Sequence, residues 1–111
     1  MASTLIKLYE GQAGATNTTL YTGLTNELIR IVACTITNDT TTSKYLTMHL
    51  VPSGGAVGDD NLILNQKVLS SRESYTCPEV VGHVIEAGDI LSAIAEAASQ
   101  ITVHISGIKI T

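Results

Sequence analysis

The sequence feature that most constrains the fold is the segment Lys44–Val51, in which apolar and polar side chains alternate. The even-numbered residues Leu46, Met48 and Leu50 are apolar, whereas the odd-numbered residues Tyr45, Thr47 and His49 are polar or aromatic. Because successive side chains of a strand point to opposite faces, this pattern predicts a β-strand with one face in a core and the other toward solvent or a partner. Pro52 lacks the N–H that a strand ladder needs, and Gly54 and Gly55 then turn the chain.

The same pattern returns near the C-terminus, in the segment Ile101–Gly107. Its odd positions are aliphatic up to residue 105, and Thr102 and His104 take the other face. After Gly107 the aliphatic positions become even: Ile108 and Ile110. A β-bulge switches which alternate residues of a strand face the core. We therefore predict a bulge at Gly107, with Ile108 and Ile110 both facing inward.

Further strands are predicted over residues 4–9, 18–22, 27–37, 61–69 and 74–77, which are rich in β-branched and alternating residues. In the segment 27–37, Ile29, Ile31 and Ala33 are predicted to share one face and Cys34 to lie on the other. Residues 38–43 are polar and typical of a hairpin connection, so strands 27–37 and 44–51 are expected to pair antiparallel.

The segment 90–99 fits two structures, because its apolar residues match both a helical stripe and a strand alternation. Turn signals every eight to twelve residues elsewhere favour the strand, which we predict. The whole chain, residues 1–111, is therefore expected to form a single all-β domain. Its architecture is predicted to be an antiparallel β-sandwich of seven to nine short strands with jelly-roll or Greek-key connections.

Charged residues make up only 14% of the chain, against about 25% in a typical globular domain. Interface cores are depleted in charge, so this composition favours a surface covered by further copies, and we expect a homo-oligomer, with a trimer favoured. The net charge of −4 and the scattered basic residues argue against nucleic-acid binding. No signal peptide and no apolar segment of about 20 residues is evident, so no membrane association is expected.

The residues that could support chemistry do not form a recognisable site in the sequence. His49 and His104 could share a metal if their strands were neighbours, but no third ligand is fixed beside them, and we predict no metal. The Asp59–Asn61 run fits a solvated loop better than a calcium site. No glycine-flanked nucleophilic serine motif is present, so we predict no catalytic residues, no cofactor and no enzyme. Cys34 and Cys77 are expected to remain thiols, with a disulfide between them as the alternative.

A candidate interface is formed by the outward residues of the two alternating strands: Tyr45, Thr47, His49, Thr102 and His104. Rings and hydroxyls supply contact area and hydrogen bonds with little desolvation cost, so these faces suit a protein–protein contact.

Several short segments resemble, in order, motifs of small virion proteins of tailed bacteriophages. They span most of the chain: Leu20-Tyr21-Thr22, Ile29-x-Ile31 with Asn38, His49 to Gly55, Glu86 to Asp89, and His104 to Ile110. The chain departs from the usual pattern at Gly23-Leu24, where a proline-containing turn often follows in that family.

The resemblance implies a β-sandwich protein built into the virion, which assembles in the host cytoplasm. Its implied role is capsid decoration in many copies, as a cement protein that contacts itself and the major capsid protein. A tail or fibre module that binds host-surface glycans is the alternative. The motifs are turns and alternations, so they specify a fold more than a task.

Overall fold

The fold is described from a computed structural model over residues 3–110. This part of the chain contains nine β-strands and one short 3₁₀ turn. The strands are β1 (Ser3–Gln12), β2 (Thr18–Thr22), β3 (Leu28–Asn38), β4 (Lys44–Val51), β5 (Leu62–Leu69), β6 (Ser74–Tyr75), β7 (Val84–Ile85), β8 (Ile90–Ala95) and β9 (Ile101–Ile110), and the 3₁₀ turn covers Asp59–Asn61.

The strands form two antiparallel sheets that pack face to face. Sheet A has the order β1-β9-β3-β6, with β7 also paired to β3, and sheet B has the order β2-β8-β4-β5. The chain crosses repeatedly between the sheets, so that β1 and β2, β3 and β4, and β8 and β9 lie in opposite layers. This winding is a jelly roll. The predicted all-β sandwich is therefore confirmed, and so is a strand in the ambiguous segment 90–99, as β8.

The core lies between the sheets and is built from the aliphatic positions of the alternating strands. Its largest fully buried side chains come from both layers: Ile29, Ile31, Ile36, Ile85, Ile101, Val103 and Ile105 from sheet A, and Leu46, Met48, Leu69 and Leu91 from sheet B. The inward parity predicted for β4 is confirmed for Leu46 and Met48, which are buried in this core. Burial of this apolar surface is the main force that holds the layers together.

The predicted hairpin between β3 and β4 is wrong. β3 is an inner strand of sheet A: β9 pairs with one of its edges, and β6 and β7 pair with the other. Both edges of β3 are therefore satisfied, and the polar connection after Asn38 carries the chain across to sheet B. Such a short polar connection suits either a hairpin or a crossing between layers, so local sequence does not distinguish the two.

The predicted alternation within β3 is also wrong beyond Ile31. The register of β3 against β9 shifts between Ile31 and Ala33, so Val32 is the extra residue of a bulge. Val32 and Ala33 are consequently both exposed, and Cys34 turns into the core.

The predicted bulge at Gly107 is wrong as well, because β9 alternates regularly through this position. Gly107 is buried opposite Ile31, whereas Ile108 pairs with the exposed Leu5 and Arg30 on the outer face. The register shifts lie instead in the two neighbours of β9: near Leu8 in β1 and at Val32 in β3.

Gly107 nevertheless has a strict requirement for glycine, which comes from close packing. A Cβ atom there would lie 2.8 Å from the Arg30 carbonyl oxygen and 3.0 Å from Ile29 Cγ2. Because the nearer atom belongs to the backbone of a paired strand, Gly107→Ala is expected to lower the free energy of unfolding by about 1–3 kcal/mol. Urea denaturation measures this loss.

The matched control is Gly58→Ala, at an extended φ of −166°. The atom nearest to a Cβ there is a side-chain oxygen of Asp60, at 3.2 Å. This side chain has room to move, so the control variant should stay close to the parent. Equal urea midpoints for Gly107→Ala and Gly58→Ala would contradict the proposed clash at Gly107.

Candidate assembly surface

The outer face of sheet A has an apolar half, defined by six aliphatic residues that distant segments bring together. Four of them are exposed and two are half-buried: Leu5 at 76%, Leu28 at 40%, Val32 at 36% and Val84 at 41%, with Ile108 and Ile110 between them. Strand pairing brings these residues together across β1, β9, β3 and β7. Ile108 of β9 lies between Leu5 of β1 and Arg30 of β3, and Arg30 in turn pairs with Val84 of β7. Clustered exposed aliphatic residues of this kind mark a contact surface more often than isolated ones do.

The other half of this face is polar and contains two residues of the predicted interface. His104 is exposed between Glu10 and Thr35, and Thr102 is half-buried between Gln12 and Thr37. The Glu10 carboxylate accepts a 2.6 Å hydrogen bond from Lys7 Nζ, and this bond and the lysine charge lower the pKa of Glu10. The outer face of sheet A therefore combines an apolar half with a hydrogen-bonding border.

The other three residues of the predicted interface lie on β4, on the outer face of sheet B. Tyr45 is half-buried, but Thr47 and His49 are only 8% and 6% exposed. His49 lies opposite the fully buried Ser92 of β8. Within residues 3–110, neither His49 Nδ1 nor Ser92 Oγ has a hydrogen-bond partner. The central part of this face is therefore closely packed by its own neighbours.

Thr47 has a structural role that the alternation pattern did not indicate. Its Oγ1 accepts a 3.0 Å hydrogen bond from the backbone N–H of Gln66, which has a φ of 46°. The pairing of β4 with β5 shifts register in this region, between Leu46 and Met48. The Thr47 hydroxyl thus satisfies a backbone group that the irregular ladder leaves free.

The structure does not bring the five predicted interface residues into one surface. Thr102 and His104 belong to sheet A, and Tyr45, Thr47 and His49 belong to sheet B, on the opposite side of the sandwich. His49 and His104 could share a metal only if their strands were neighbours in one sheet. Their strands lie in different sheets, so this condition is not met. Within residues 3–110, no group of three or more His, Cys, Asp or Glu side chains is arranged to hold a metal ion.

The loops at one end of the sandwich surround an open cleft of about 440 Å³. Its polar lining comes from Asp60, Asn61, His83, Glu86 and Asp89. The Asp89 carboxylate already accepts hydrogen bonds from the backbone N–H groups of Ser53, at 3.1 Å, and Glu86, at 2.9 Å. Asn61 likewise bonds the backbone at its own turn, donating to the Ala56 carbonyl at 2.9 Å. These side chains hold the loops together.

Among residues 3–110, no helix combines the length and the apolar character that crossing a bilayer requires.

Comparison with known proteins extends the description of the fold. No protein-family profile matches the chain, and no curated protein matches it significantly. A solved structure from work on Bacillus endospore appendages, described as a family of disulfide-linked pili, is similar with a TM-score of 0.56. The alignment covers 99% of this chain and 87% of that one, at 16% sequence identity. At this identity the similarity establishes a shared β-sandwich fold.

Proposed function

We propose that this chain is a non-enzymatic structural subunit that associates with further copies of itself and decorates a bacteriophage head. The apolar half of sheet A is the observation that carries the proposal. Leu5, Leu28 and Val84 present aliphatic surface to water from three different strands. Their burial against another subunit would recover about 25 cal/mol for each Å² removed from water.

The two halves of this face suit the usual anatomy of a protein–protein contact. Such contacts have a core depleted in charge and a polar, more accessible rim. The apolar half would supply the core, in which the charged Arg30 lies beside Ile108 and Val84, and Thr102 and His104 would supply part of the rim. We propose a trimer in which this face contacts neighbouring copies or the major capsid protein.

Two independent likenesses support a structural role. The β-sandwich fold is shared with a chain from work on endospore appendages that are described as pili. The ordered motifs from Leu20 to Ile110 resemble those of small phage virion proteins, among which head decoration is one implied role. The likeness to the pilus chain favours a second candidate, a subunit of a fibre or tail.

The proposal is tested by placing charge on the apolar half. Leu5→Lys combined with Leu28→Lys changes two exposed side chains, so folding should be retained while the contact acquires unpaired charges. We expect the parent to scatter light as an oligomer at micromolar concentration and the double variant to be a monomer of 11.7 kDa. Binding to undecorated phage heads, measured as bound copies, should fall at least tenfold.

The matched control is Val68→Lys, because Val68 is an exposed aliphatic residue, at 58% between Leu28 at 40% and Leu5 at 76%, but lies in sheet B. This variant should assemble as the parent does. A parent that is monomeric at every concentration and does not bind heads would overturn the proposal. Hundreds of copies in each particle would support decoration, and a handful would support the fibre or tail.

A further inference from the structure

The two cysteines lie near the short antiparallel pairing of β3 with β6. β3 pairs with β6 in a register that places Ile36 against Tyr75 and Thr37 against Ser74. Cys34 lies two residues before Ile36 in β3, and Cys77 lies two residues after Tyr75, just beyond the end of β6, at a φ of 44°. Because each cysteine is only two positions from a paired residue, the pairing of β3 with β6 holds the two cysteines close together.

Both side chains point into the same core. Cys34 is 2% exposed and Cys77 is fully buried, and both belong to the hydrophobic cluster between the sheets. The thiols contact each other: their mutual hydrogen bond raises the pKa of Cys34 and lowers that of Cys77. Cys77 Sγ also lies 3.8 Å from the carbonyl oxygen of Tyr75.

We propose that Cys34 and Cys77 are a built-in crosslinking site, which forms an intramolecular disulfide when the protein meets a small-molecule disulfide. The bond would join the centre of sheet A to the segment 74–85 at its edge. This edge is otherwise held by two strands of two residues each, β6 and β7, and by backbone hydrogen bonds of Ile31 with Gly82 and His83. The crosslink would form whether or not the chain assembles.

The chemistry is a pair of thiol–disulfide exchanges with oxidised glutathione or a similar disulfide. The Cys77 thiolate attacks one sulfur of the reagent, which forms a mixed disulfide and releases one glutathione thiolate. The Cys34 thiolate then attacks the Cys77 sulfur, which forms the protein disulfide and releases the second glutathione. The two protons lost by the protein are taken up by the two released thiolates, so the reagent is reduced as the protein is oxidised.

Access to the buried thiols would come through local opening of the edge segment. Short strands with few ladder bonds open at a lower free energy than the rest of a sheet. The polypeptide between β6 and β7 forms turns over residues 78–82, and the Cys77 carbonyl accepts hydrogen bonds from Val80 N–H at 3.0 Å and Val81 N–H at 3.3 Å. Release of this turn would expose Cys77 and leave β3 in place, so oxidation of the folded protein should be slow but should go to completion.

The experiment incubates the 111-residue protein with oxidised glutathione and then unfolds it for thiol titration and mass measurement. We expect both thiols to disappear, with a mass loss of two hydrogens and no bound glutathione. The disulfide closes a loop between positions 43 residues apart, so Tm should rise on the order of 10 °C and fall back on reduction. Cys34→Ala is the control and should show no such rise.

A second arm keeps the test decisive if the folded thiols are slow to react. The protein is unfolded, then refolded in a glutathione redox buffer, in which both thiols are accessible from the start. An intramolecular disulfide in the refolded protein supports the proposal. Two free thiols, a stable glutathione adduct on Cys77 or a disulfide between two chains would each overturn it.

Discussion

Replacing Gly23 by alanine is expected to destabilise the protein by roughly 3–5 kcal/mol, a large part of the 5–15 kcal/mol typical of such domains. A Cβ atom at this position would lie 2.1 Å from the carbonyl oxygen of Glu86. The two segments cannot separate freely, because Gly23 N–H donates to the Asp89 carbonyl at 2.9 Å and Gly88 N–H donates to the Gly23 carbonyl at 3.0 Å. Relief of the clash would therefore break the bonds that join the β2 end to the turn before β8.

Urea denaturation of Gly23→Ala, followed by circular dichroism, measures the loss. Leu24→Ala is the control, because Leu24 is the next residue and is 59% exposed. The control should unfold within about 0.5 kcal/mol of the parent, as surface substitutions usually do. A Gly23→Ala midpoint as high as that of the control would show that the backbones do not approach this closely.

Asn38→Asp is expected to cost roughly 3–5 kcal/mol at neutral pH, although the two side chains have almost the same shape. The Asn38 side chain is fully buried, and its amide nitrogen donates to three carbonyl oxygens: those of Thr42 at 2.8 Å, Leu69 at 3.1 Å and Ser70 at 3.1 Å. Its Oδ1 accepts from the N–H and the hydroxyl of Thr40, at 3.0 and 2.7 Å. An aspartate would face three carbonyl oxygens with a negative charge and no hydrogen to donate.

The pH dependence of Asn38→Asp tests this cause. Burial among carbonyl oxygens would raise the pKa of the new carboxyl above its unfolded value of about 3.9, so its penalty grows as pH rises through the folded pKa. The difference in Tm from the parent should therefore narrow between pH 7 and pH 4. Asn65→Asp, at an exposed position on β5, is the control and should show a small, nearly constant difference. A pH-independent loss in Asn38→Asp would point to packing instead of charge.

The sequence predicted the features of the fold that depend on neighbouring residues. Strand alternation is a local property, so β2 was predicted with its observed bounds, and the inward faces of β4 and of β9 up to Ile105 were predicted correctly. Strand pairing is non-local. The polar connection after Asn38 fits a hairpin and a crossing between sheets equally well, and the burial of Asn38 depends on carbonyl groups from β5, about 30 residues further along the chain.

The candidate surface was only partly accessible to sequence reasoning for the same reason. The alternation of apolar and polar residues predicted that His49 and His104 face outward, but it could not show that these two faces belong to different sheets. The apolar half draws Leu5, Leu28 and Val84 from three segments, and each residue alone is an ordinary aliphatic position in a strand. The bulge at Val32 adds a further aliphatic side chain, and a bulge leaves little signal in a run of β-branched residues.

The position of β9 between β1 and β3 affects how the chain can fold during synthesis. Within residues 3–110, β1 pairs with β9 alone and Ser3 lies opposite Ile110, so β1 has no ladder until β9 emerges. A nascent chain that ends before Ile101 cannot complete sheet A, and β1 would leave the ribosome with a row of unsatisfied backbone groups. Long-range closure of this kind is slow because the loop entropy is lost before the contacts form. We therefore expect sheet A to form in a late, cooperative step, and until then the edges of β1 are open to pairing with other chains.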